Sequence, residues 1–178
     1  MSKTRACGCS AGLLCDDGAM STVTVRAMTP DEYEAWQSAI AEEYAAEQVA
    51  SGAWLADGAV ERARAANAVR LPEGLQTSRM LLLRGVDALG EPVGRAWVGL
   101  DHPRGAPGVA FLYDFEIVEG RRGSGLGRAM LTAVEHATSE AGADALELNV
   151  FGSNAAAIGL YSSSGYAVVT QQMRKPLS

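Results

Sequence analysis

The chain has 178 residues, a formal net charge of −6 and three cysteines, all within its first fifteen positions. A single domain of that length buries roughly 70% of the surface of its unfolded chain. The acidic balance excludes nucleic acid as the principal partner, because neutralising phosphates takes clustered Lys and Arg, and no apolar run approaches the ~20 residues that span a bilayer.

Residues 1–20 carry Cys7, Cys9 and Cys15 and show no periodicity. Their one apolar run, Ala11 to Leu14, is too short for a secretory signal, which needs about 7–15 apolar residues. The cysteine spacing matches no common zinc pattern, and a tetrahedral site wants a fourth ligand. These residues are expected to form a disordered leader, the domain to run from 21 to 178, and the protein to be cytoplasmic.

From Val23 to Met28 apolar and polar residues alternate, as in a strand. Thr29 and Pro30 open a helix with Asp31, Glu32 and Glu34 at its positive end, running to about Ala50 and stopping at Ser51-Gly52. A second helix is predicted from about Leu55 to Val69. Met80–Val86 and Val93–Leu100 are strands joined by the turn Leu89-Gly90-Glu91-Pro92. After a turn over Pro103 to Gly108 comes a long strand, Val109–Val118. A helix from Leu126 to Ala141, a strand from Ala145 to Phe151, a helix from Asn154 to Ser163 and a last strand from Tyr166 to Arg174 complete the chain. The order β-α-α-β-β-β-α-β-α-β predicts a mixed α/β fold of the α+β kind. Its sheet should have six to seven strands, antiparallel in the middle and partly parallel later, flanked by about four helices.

The strongest chemical signal is Arg122-Gly123-Ser124-Gly125-Leu126-Gly127-Arg128, between the long strand and the third helix. A glycine-rich turn at a helix N-terminus offers unpaired N–H groups in a region of positive potential. This predicts a phosphate or pyrophosphate ligand, with Arg121, Arg122 and Arg128 as basic support. The spacing is G-x-G-x-G, not the G-x-G-x-x-G of dinucleotide folds, and it comes too late in the chain for paired nucleotide-binding halves. Downstream, Asn154, Ala157, Leu160, Tyr161, Gly165 and Tyr166 punctuate a second motif in which Asn154 also suits a helix N-cap. The stretch from Asp31 to Glu61 holds eight acids and no Lys or Arg, which reads either as a solvated helix face or as a rim attractive to cations.

Together the two motifs resemble those of the GNAT N-acetyltransferase superfamily. Arg122, Gly125 and Gly127 match its Q/R-x-x-G-x-G/A acyl-CoA loop, and Asn154 to Tyr166 match its N-x-x-A-x-x-L-Y-x-x-x-G-[FY] segment. Stretches such as Tyr44 to Trp54 look like an uncharacterised bacterial subgroup. The resemblance implies a GNAT fold and acetyl-CoA as cosubstrate, with no metal. It implies that backbone groups of Phe115, Ile117 and Val118 pair with the pantetheine arm, and that Arg122, Gly123, Ser124, Gly125, Leu126, Gly127 and Arg128 cradle the pyrophosphate. Asn154, Ala157 and Tyr161 would also contact the cofactor, and Tyr161 would protonate the departing thiolate.

A covalent acyl-cysteine route has no cysteine after Cys15 to use, so direct transfer to an amine is expected. The place of a base used by family members acting on protein N-termini is Asn149, which cannot serve. Asp114 is the preferred base, followed by Glu116 and Glu47, with a water chain as rival. In this family the first two helices flank the acceptor, where an acidic rim would attract a cationic small-molecule or peptide amine; Tyr44, Trp54 and Thr77 suit the pocket, and Trp36, Tyr44 and Trp54 equally suit the core. A homodimer is compatible with the fold. Outside this reaction class stands a non-catalytic acyl-CoA binder or sensor; within it, a transferase for another acyl donor.

Overall fold

A computed structural model describes residues 22–177, so the expectation for residues 1–20 lies outside the described residues. Chain order is β1 (Val23–Ala27), α1 (Pro30–Ala50), α2 (Ala59–Arg70), β2 (Met80–Asp87), β3 (Pro92–Gly99), β4 (Val109–Ile117), α3 (Leu126–Glu140), β5 (Ala145–Leu148) and α4 (Ala155–Ser163). Short 3₁₀ turns at Gly74–Gln76 and Glu119–Arg121 were not foreseen from the sequence. The five strands lie in sequence order, antiparallel from β1 to β4 and parallel between β4 and β5.

Local chemistry accounts for the helix starts. Thr29 caps α1: its side chain accepts from the Glu32 N–H, Glu32 reaches back to the Thr29 N–H, and Pro30 needs no donor partner. Helix α2 begins at Ala59, later than the predicted Leu55, because Gly58 turns left-handed there and Leu55 faces solvent. Ala41, Ala45, Ala59 and Ala63 are buried at the α1–α2 contact, where small side chains let the helices approach.

One sheet face packs on α3 through Leu83, Val93, Ala96, Val98, Ala110, Leu112, Met130 and Val134. The other packs on α1 through Met28, Tyr33, Trp36, Leu82, Trp97 and Tyr113. Gly94 is required by the first packing. A Cβ there would sit 2.2 Å from the Glu116 carbonyl oxygen and 2.7 Å from Met130 Sδ. Gly94→Ala is therefore expected to destabilise the fold by about 2–3 kcal/mol, because a backbone atom must move, with a lower midpoint in urea as the measurement.

The predicted last strand, Tyr166–Arg174, does not form. Val168, Val169 and Met173 stand exposed, and the segment meets the body at its two ends, through the Tyr166 ring against Tyr161 and through Arg174, which donates to the carbonyls of Ser51 and Gly52. A strand needs a neighbouring edge to complete its hydrogen bonds, and β5 ends at Leu148 rather than Phe151. Among the described residues the sheet thus has five strands, not six or seven, while the mixed α/β class is as expected.

The decisive feature is where β4 loses its partner. β5 pairs with it only from Val109 to Leu112, whereas β3 follows it to Ile117. Beyond Leu112 one edge of β4 is therefore open. A register shift opposite Trp97 and Val98 skips Tyr113, so that Asp114 pairs with Trp97 and Leu112 with Val98. This bulge places both Tyr113 and Asp114 on the α1 face: the Tyr113 ring stacks on Trp97 at 4.7 Å, and Asp114 accepts a hydrogen bond from Trp36.

Candidate active site

The site gathers where the open edge of β4, the start of α3 and α4 converge. The glycine loop builds its first wall. Gly123 and Gly125 adopt left-handed φ of 76° and 82°, a region costly for side chains that bear a Cβ. Gly125 thereby caps α3 without a side-chain bond. The Arg121 and Arg122 N–H groups bond back to Val118 and Glu119, and those of Arg128 and Ala129 to Gly125. Between them the N–H groups of Gly123 to Gly127 have no acceptor among the described residues, at the positive end of a 15-residue helix. A Cβ on Gly123 or Gly125 would meet nothing within 4 Å, so the concave side is clear.

The three arginines predicted to support this loop are already engaged. Arg121 pairs with Asp87 at 2.6 Å. Arg128 ties α3 to the end of α4, donating to Ser163 O at 2.9 Å and to the Ser163 hydroxyl at 2.7 Å. Arg122 donates from Nε to Ile117 O and from Nη2 to Glu116 Oε1, each at 2.9 Å. The backbone, rather than guanidinium groups, is what the loop presents.

Helix α4 supplies the second wall. Asn154 is its N-cap, its Oδ1 accepting from the Ala157 N–H at 3.1 Å, which leaves Nδ2 for another partner. About two turns on, the Tyr161 ring lies 6.4 Å from Phe115 of the open edge and 5.5 Å from Tyr166. Its hydroxyl makes no hydrogen bond among the described residues. Burial first, then the nearby Asp114 charge, push its pKa up to about 12, so it stays protonated at neutral pH.

The α1 face supplies a charged network of which sequence reading named Asp114, Glu116 and Glu47 but missed Arg95 and the Trp36 bond that hold Asp114 in place. Asp114 Oδ2 accepts from Trp36 Nε1 and from Arg95 Nε, both at 2.9 Å. Arg95 also bridges to Glu116 Oε2 at 2.8 Å and to Glu43. Burial raises the Asp114 pKa against the opposing pull of Arg95 and Trp36. Desolvation, followed by Asp114 and Glu43, raises that of Glu47. Arg95 is only 13% exposed, and its one sequence signal was a lone charge inside the apolar run of β3. The acidic stretch is partly neutralised: Glu32 pairs with Arg26 and Arg84, Glu42 with Arg64 and Glu43 with Arg95. Trp36 is core, whereas Tyr44 and Trp54 meet edge to face at the rim of the α1–α2 contact, with Arg62 over the Trp54 ring. No cluster of His, Cys, Asp and Glu suited to a metal occurs among the described residues, and none of their helices is long and apolar enough to cross a membrane.

Comparison with known proteins agrees with this architecture. The model of the Acetyltransferase (GNAT) family matches residues 53–166. The uncharacterized N-acetyltransferase YdgE of Bacillus subtilis (strain 168) is 33% identical over 156 residues, covering 86% of this chain and 98% of its own. The crystal structure of YycN from Bacillus subtilis superposes with a TM-score of 0.82 at 29% identity, covering 88% of this chain and 99% of that one. At 17% identity and a TM-score of 0.58, AAC(6')-Iy, solved with the bisubstrate analogue CoA-S-monomethyl-acetylneamine, shares the fold over 89% of this chain and 99% of its own. A glycine loop opening onto a strand edge that has lost its neighbour, joined to these matches along most of the chain, makes this protein a member of the GNAT acetyltransferase family.

Proposed function

We propose that this protein is an acyl-CoA-dependent N-acyltransferase that moves an acetyl group from acetyl-CoA to a primary amine, small-molecule or peptide, within a ternary complex. The observation that carries the reading is Tyr161: a protonated hydroxyl with no partner among the described residues, near the Asp114 charge, where β4 parts from β5. Bound acetyl-CoA would supply an activated acyl thioester. The chain's surfaces fit that ligand, with an open β4 edge at Phe115 and Ile117 and the free N–H groups of Gly123 to Gly127. Val118 is turned back toward β3, its N–H donating to Val93 O, so its backbone donor is unavailable to a ligand on the open side.

In this reading Ile117 and Phe115 hold the pantetheine arm, and the N–H groups of the loop hold the pyrophosphate. Asn154 Nδ2 and the surface at Ala157 line the arm, and Tyr161 gives its proton to the thiolate as it leaves. Asp114 takes the proton of the attacking ammonium. Its Oδ2 is fixed by two donors, its Oδ1 makes no hydrogen bond among the described residues, and burial raises its basicity. Glu43, Glu47, Asp114 and Glu116 outnumber the cations facing them, which favours a cationic acceptor.

The test is release of CoA thiol from acetyl-CoA against a panel of spermidine, kanamycin and lysine amide. Saturable turnover with at least one amine is expected. CoA binding with no turnover on any amine would instead leave a non-catalytic binder, and turnover only with a longer acyl-CoA would correct the donor.

A further inference from the structure

The conformation of Arg122 bears on how the two substrates follow one another. The Val118 N–H bonds to Val93 O on the β3 side, so by strand alternation Ile117 turns its own carbonyl to the open side. Arg122 Nε occupies that carbonyl at 2.9 Å, and its Nη2 continues to Glu116 Oε1 at 2.9 Å. The guanidinium thus lies across the strip of backbone assigned above to the pantetheine arm. Glu116 shares the α1 face with Asp114 and Arg95, and its Oε2 is anchored by Arg95 at 2.8 Å. Its side chain is 34% exposed, so the carboxylate borders solvent.

We propose that Glu116 is the carboxylate that positions the acceptor amine, and that Arg122 keeps it closed until CoA arrives. The inference rests on the acyltransferase reading above. A phosphate oxygen is a strong partner for a guanidinium, and Arg122 stands at the first position of the pyrophosphate loop. Turning to the pyrophosphate, Arg122 clears the Ile117 carbonyl and uncovers Glu116 Oε1. An ammonium then takes the place that the guanidinium left, while Arg95 keeps the carboxylate from swinging. The net charge beside Asp114 is restored when the amine docks, so the amine binds well only after CoA.

Two measurements on the full-length chain decide it, with thermal melting to establish that each variant is folded. In calorimetry with CoA, Glu116→Gln should bind about two- to fivefold more tightly than wild type, because Arg122 no longer leaves an ion pair. Equal or weaker binding would overturn the latch. In thiol-release assays at saturating acetyl-CoA, Glu116→Gln should raise KM about tenfold for whichever panel amine the wild type uses, through loss of a charge-assisted bond. An unchanged KM would remove Glu116 from acceptor binding. Should Glu116→Gln fail to fold, Glu116→Ala gives the same two readouts. Wild-type protein that takes up no CoA would instead defeat the acyltransferase reading, a result distinct from either outcome for Glu116.

Discussion

Tyr161→Phe is expected to lower kcat about 10²- to 10⁴-fold, the range for loss of a positioned proton donor. CoA affinity should stay within about threefold, since the ring and its contacts with Phe115 and Tyr166 remain. The physical case is the environment of the hydroxyl. Desolvation and the adjacent Asp114 charge both disfavour the phenolate, and the pKa of about 12 keeps the proton in place at neutral pH. A leaving thiolate is a weaker base than this phenolate, so Tyr161 chiefly holds the charge developing on sulfur through its O–H, and its proton crosses only while the C–S bond is breaking. Thiol release and calorimetry on the same preparation check both halves. Unchanged kcat would reduce Tyr161 to a packing residue.

The largest expected effect on stability comes from Arg95→Met. Arg95 and Asp114 are 13% and 11% exposed, and Arg95 alone joins α1, β3 and β4 by charge. Removing one partner of a buried pair leaves the other charge without compensation, which costs about 3–5 kcal/mol. For a chain of this size that lowers the melting temperature by about 10 °C. The sign with pH follows from Asp114. Without Arg95 its folded pKa rises further above the unfolded value, so the folded state binds the extra proton and stability falls as pH rises. The loss should therefore shrink on acidification. Arg95→Met combined with Asp114→Asn should recover much of it, because no charge is then buried. Melting curves of the two variants between pH 5 and 8 make the comparison, and an equal loss at every pH would show that Asp114 is not the group responsible.

Local sequence carried the ligand-binding half of the site. The glycine loop and the Asn154 N-cap depend on backbone conformation and on neighbours within a few residues, so spacing alone exposes them. Tyr161 was singled out by the resemblance of its segment to the family motif rather than by spacing alone. The acceptor half was not legible in this way. Arg95 reads as one charge in an apolar strand, and only pairing of β3 with β4 sets it against Asp114 and Glu116. Trp36 reads as a core aromatic, which it is, yet its indole N–H also orients Asp114 across 78 positions of chain. The acidic stretch looked uncompensated because its cations, Arg26, Arg64, Arg84 and Arg95, lie outside it. The last strand failed because alternation describes only a segment able to pair, and here Val168, Val169 and Met173 stay exposed without joining the free edges of β4 or β5.

By itself, then, the sequence determined element order as far as α4, the glycine loop and the helix that bears Tyr161, all of which follow from propensities, caps and periodicities acting over one or two turns. Only the tertiary structure decided where β4 loses its partner, which carboxylate is locked and which is covered, and how Arg122 lies across the open edge. These depend on strand register and on ion pairs between residues distant in sequence, and neither leaves a mark in local composition.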